Sequence, residues 1–102
     1  MPILIELQSP DGGVIETLDD ADDVLHRTLP YYDDATFSLL RKIDWYGDTE
    51  FRAPQMSILL EELDRVMPKA AGPDQVAFMQ KLKQIAGRCA SMPGCTLKFL
   101  GD

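Results

Sequence analysis

The spacing of apolar positions changes along this chain, and the changes divide it into elements. Ile3-Leu4-Ile5-Glu6-Leu7 is short, apolar and β-branched, which suits a strand buried on at least one face. Ser9-Pro10-Asp11-Gly12-Gly13 is a dense turn signal, because Pro fixes one dihedral and Gly accepts positive φ. Val14-Ile15-Glu16-Thr17-Leu18 then reads as the returning strand of a hairpin. Further on, Phe37, Leu40 and Ile43 stand three apart, Leu39 widens the stripe, and Asp33-Asp34 precedes them as a cap. That spacing predicts a helix over about 35–43.

A second helix should start at Pro54, where the missing N–H costs nothing. Met56, Leu59, Leu60, Leu63, Val66 and Met67 form its core stripe, with Glu61, Glu62, Asp64 and Arg65 on the other side. Pro68 and Gly72-Pro73 interrupt the pattern. A last helix is predicted over about 74–91, with Phe78, Leu82, Ile85 and Cys89 inward and Lys81, Lys83 and Arg88 outward. Met92-Pro93-Gly94 turns the chain, and Cys95 to Leu100 alternates like a strand. That strand needs a partner, and the N-terminal strand is the natural one. The expected fold is therefore a single α+β domain over 1–102. It has a small antiparallel sheet of two or three strands, an N-terminal strand or hairpin plus the C-terminal strand, packed on three to four helices.

Composition narrows the class. With 102 residues and 45% apolar content, the chain is sized for one ordinary globular core. No apolar run approaches the roughly 18 residues of a spanning helix, and the N-terminus lacks the basic region of a signal peptide. A cytoplasmic protein is expected, with no membrane partner. Cys89 and Cys95 are then expected as free thiols, and with His26 the only histidine there is no zinc set. No cofactor is expected.

Charge is distributed unevenly within the net −7. Residues 1–51 hold twelve acids against three bases, whereas residues 52–102 hold five acids against seven bases. Phosphate contacts need clustered Lys or Arg, so the first half argues against nucleic acid; it permits a basic partner or a cation, beside the plain reading of a solvated acidic surface that aids solubility. Asp19, Asp20, Asp22 and Asp23 invite a calcium test, but the EF-hand pattern fails, with no Gly at the sixth loop position and no Glu at the twelfth. A helix start accounts for them better, since Asp caps free N–H groups and opposes the dipole. His26, with no matched nucleophile, reads as a surface or edge residue.

The aromatic–glycine corner Trp45-Tyr46-Gly47-Asp48-Thr49, predicted as a loop over 44–53, is the best functional candidate. Its structural reading has Trp45 and Phe51 plugging the gap between two helices while Asp48 and Thr49 tie the loop. Its functional reading is a recognition surface, because Trp and Tyr are enriched at binding hot spots. An acid–base pair from Asp44 and Asp48 would require helical spacing that Gly47 opposes.

The run Leu39-Leu40-Arg41-x-Ile43-Asp44-x-Tyr46-Gly47-Asp48-Thr49-x-Phe51 is followed by Gln55 and Glu62-Leu63, and by a tail of Leu97, Phe99, Gly101 and Asp102. In these residues the chain resembles small single-domain bacterial proteins over roughly its last two-thirds. The resemblance brings no catalytic residue with it and implies a compact partner protein of the toxin-immunity kind. The resulting expectation is a non-enzymatic acidic module whose protein partner is met by Asp44, Tyr46, Asp48 and the 19–23 acids, with Trp45 as anchor. Two rivals stand beside it. One is a small enzyme or ligand binder using the 44–51 corner, and the other is a module that self-associates through a sheet edge, so that either monomer or homodimer is open.

Overall fold

The computed structural model describes residues 3–21, 23–28 and 36–101. Its elements are β1 (Leu4–Gln8), β2 (Val14–Asp19), α1 (Val24–Thr28), β3 (Asp48–Arg52), α2 (Met56–Val66), α3 (Gly72–Ala90) and β4 (Thr96–Leu100), with short 3₁₀ turns at Leu40–Lys42, Ala53–Gln55 and Met67–Lys69. The strands form one antiparallel sheet in the order β2-β1-β4-β3. β1 and β2 make the predicted hairpin, with an irregularity at Leu7/Gln8, and β4 pairs with β1 as expected. The chain is thus α+β, but its sheet has four strands where two or three were expected, because β3 pairs with β4, which lies inside the sheet between β1 and β3.

Registry divides the sheet into two faces. Ile5 lies opposite both Leu18 and Phe99, and Leu97 lies opposite both Leu7 and Phe51. These inward residues join one cluster with Val24 and Leu25 of α1, Leu59 and Leu63 of α2, and Met79, Leu82 and Cys89 of α3. Phe51 and Phe99 meet edge to face, with centroids 5.7 Å apart, worth about 0.5–1.5 kcal/mol beyond burial alone. α2 and α3 follow the 3–4 spacing that predicted them, although Phe78 is only half-buried and Met79 holds the fully buried position.

Two expectations are corrected. The corner predicted as a loop over 44–53 contains β3, which pairs with β4 from Asp48↔Leu100 to Arg52↔Thr96. Only one large apolar residue, Phe51, stands on the inward side of this strand, so its alternation is easily read as loop until the ladder with β4 is seen. The helix predicted over 35–43 is only a 3₁₀ turn at Leu40–Lys42 among the described residues, and Ile43 is already extended. Leu39, Leu40 and Ile43 are nevertheless buried. The expected Asp33-Asp34 cap lies outside the described residues.

Glu62 holds the start of that turn. Periodicity placed it on the solvent side of α2, yet it is 1% exposed. Its Oε1 accepts from the Leu40 N–H at 2.9 Å and the Leu39 N–H at 3.2 Å, while Oε2 accepts from the Ser38 hydroxyl at 3.2 Å. A buried carboxylate is tolerated because these donors replace water. One turn further along, Arg65 donates to the Thr36 carbonyl at 2.6 Å and lies 4.3 Å from the Phe37 ring centroid. Buried Glu62 and exposed Arg65 therefore hold residues 36–40 against α2, while Glu61 and Asp64 face water.

Removing the Glu62 carboxylate should destabilise the fold more than any exposed charge would. Glu62→Ala is expected to lower the unfolding free energy by roughly 1–3 kcal/mol for each buried N–H left without an acceptor. Glu62→Gln, which keeps one acceptor oxygen, should lose less. Urea denaturation of both variants measures this, and an Ala variant as stable as wild type would refute the clamp.

Candidate functional site

The corner is built by three local locks. Asp44 Oδ1 accepts from the Tyr46 N–H at 2.9 Å, forming an Asx turn, and the Asp44 N–H donates to Thr49 Oγ1 at 2.9 Å. The third lock comes from the far end of the chain, where the Gly101 N–H donates to the Gly47 carbonyl at 2.7 Å. A Cβ at Gly101 would lie 2.6 Å from the carbonyl oxygens of both Asp44 and Gly47, so only glycine fits there.

These locks set what each corner side chain does. Trp45 is half-buried against the core and meets His26 of α1 edge-on, ring centroids 5.1 Å apart. His26 is thus an exposed edge residue whose ring is the neighbour of Trp45. Tyr46 projects outward and is 73% exposed. Asp44 and Asp48 are both exposed. Asp44 is committed to the turn, and Asp48 lies 3.8 Å from Lys98.

The 19–23 acids do not act as a group. Asp19 is exposed on β2, opposite Leu4. Since Leu4 also faces Leu100, and Leu100 faces Asp48, Asp19 and Asp48 share the outer face of the sheet from opposite edges. Asp20 is only 2% exposed, so it is removed from the partner-facing set. Its carboxylate accepts from the Val24 N–H at 2.7 Å and the Leu25 N–H at 2.9 Å, the capping role predicted for this run. Asp23 takes a φ of 59°, which Asp tolerates better than most residues, and borders a groove. Asp22 lies outside the described residues.

That groove, about 570 Å³, runs between α1 and the start of α3, lined by Asp23, Val24, Arg27, Gly72, Pro73 and Asp74 among others. No corner residue borders it. Among the described residues, no group of three or more His, Cys, Asp or Glu could hold a metal ion. Both cysteines are buried free thiols, and burial pushes the Cys89 thiol up to about 11, which favours its protonated form at neutral pH.

Sequence reasoning missed the rest of the outer face. Glu6, Lys98 and Glu50 form its second row, with Lys98 3.6 Å from Glu50. Leu4 and Leu100 stand beside each other in the first row, both only partly buried. The signal was the alternation of Asp48-Thr49-Glu50-Phe51-Arg52, which marks a strand with one charged face.

No family model, curated protein or solved structure matches this chain. Among the described residues, no helix is long and apolar enough to cross a membrane.

Two measurements probe this geometry. Gly101→Ala should cost about 1–3 kcal/mol, as overpacking typically does, and should shift the amide resonances of residues 44–47 in NMR spectra; unchanged corner resonances would contradict the third lock. Burial, only partly offset by its two N–H donors, raises the Asp20 pKa above the ordinary 3.8. A raised folded-state pKa makes the Asp20 contribution to stability fullest below pH 3.8, and it fades as pH rises through the folded-state value. An NMR titration of the Asp20 carboxyl carbon should give a midpoint above 3.8, and one below would reverse the sign.

Proposed function

We propose that this chain is a non-enzymatic, acidic protein-binding module of the immunity or inhibitor kind, which neutralises a basic toxin or enzyme by covering its positively charged site. The observation that carries the proposal is Tyr46, a large aromatic ring 73% exposed on a locked corner between exposed Asp44 and Asp48. An isolated exposed tyrosine is common, but one held on a fixed turn between carboxylates suits a cationic protein surface. The ring supplies contact area at low entropic cost, and the carboxylates steer the encounter. Asp44, Trp45, Tyr46, Asp48 and Asp19 are the proposed partner-facing set, with half-buried Trp45 as the anchor. A net charge of −7 speeds approach to a basic surface and opposes approach of a second copy.

The rival enzyme reading called for a pocket at 44–51 with converging polar groups. The groove described above lies elsewhere, and Asp44 is already used in the turn.

Affinity capture on the immobilised chain, followed by activity assays of the captured protein, tests the proposal. A basic protein should be recovered whose activity the wild-type chain inhibits. The Tyr46→Ala/Asp48→Lys variant, folded by circular dichroism, should inhibit at least about tenfold less. Recovery of nothing beyond what a charge-matched control protein retains would sink the proposal.

A further inference from the structure

The outer face of the sheet carries a pattern that solubility alone does not require. Leu4 and Leu100 stand side by side on the two central strands, only partly buried and outside the hydrophobic cluster that includes the inward residues Ile5, Leu7, Leu97 and Phe99. Asp19 brackets them on one edge and Asp48 on the other, with Glu6 and Glu50 in the next row. Four carboxylates therefore surround an apolar centre, against Lys98, which neighbours Asp48 and Glu50, and Arg52 at the far end.

We infer that this outer face is the seat of one amphipathic, lysine- or arginine-flanked helix of the partner protein, an inference that rests on the protein-binding role proposed above. Geometry selects a helix over an extended segment. The central strands already spend their backbone groups on each other, so a segment lying on the face must satisfy its own N–H and C=O groups. Asp19 and Asp48 sit three inter-strand spacings apart, about 14 Å, and a helix with its side chains is about 10–12 Å across. Its apolar stripe would cover Leu4 and Leu100, while basic residues on its two flanks reach Asp19 on one side and Asp48 and Glu50 on the other. The tyrosine corner lies beside the same end of β3 and would border the seated helix.

The full chain, isotopically labelled, can be titrated with two synthetic lysine–leucine peptides of equal composition and charge. One has leucines at helical spacing and the other has them scrambled. The amphipathic peptide should shift the amides of Leu4, Glu6, Lys98 and Leu100, and should bind at least about tenfold more tightly than the scrambled peptide. Leu100→Lys, and separately Asp19→Lys/Glu50→Lys, should each weaken it at least about tenfold in chains that remain folded by circular dichroism. Equal binding of the two peptides, shifts confined to the α1–α3 groove, or no shifts at about millimolar peptide would overturn the inference. A captured basic protein whose inhibition depends on Tyr46 but not on Leu100 would overturn it too, while leaving the protein-binding role standing.

Discussion

Everything in this molecule depends on where its last strand goes. β4 inserts between β1 and β3, and both of its edges are hydrogen-bonded. Its inward residues, Leu97 and Phe99, carry the core, and its outward residues, Lys98 and Leu100, form the middle of the exposed face. The next residue, Gly101, ties down the tyrosine corner. Core, face and corner are therefore coupled through six consecutive residues. The β1–β4 ladder joins positions more than ninety residues apart, from Leu4 to Leu100. Such a contact carries a high loop-closure cost, which slows folding of the domain as a whole.

Two buried carboxylates do the work that short helices cannot do for themselves. Among the described residues α1 has five residues and the turn at Leu40–Lys42 has three, well below the length at which a helix is stable alone. Asp20 supplies acceptors to the first, and Glu62, from another helix, supplies them to the second. Both stretches contribute large apolar side chains to the core, among them Leu25 and Leu40. In each case the buried acid accepts N–H groups that would otherwise be orphaned, and for Asp20 those bonds offset its desolvation only in part.

Among the described residues, the hydrophobic cluster takes its strand side chains from the inward face, and the other face carries the charged rows. Here that face carries acids around a small apolar centre, and the corner at its edge is held by side-chain and backbone locks at both ends. A surface ordered before it meets a partner loses less entropy on binding. That is the physical link between the fold and the proposed role, since rigid presentation matters for recognition.

The hairpin of β1 and β2, the core stripes of α2 and α3, the alternation of β4 and the capping role of an aspartate before α1 were all legible in the amino-acid order. Each depends on residues close together in sequence, where periodicity and turn chemistry act directly. Tertiary structure alone decided that Asp48–Arg52 is a strand, that Leu39–Leu40 are held by Glu62, and that Asp20 is hidden while Asp19 shares a face with Asp48. These outcomes are set by strand registry and by hydrogen bonds across more than twenty residues of chain, as from Leu40 to Glu62. Local pattern reports which side of an element is apolar, but not which distant group will cover the other side.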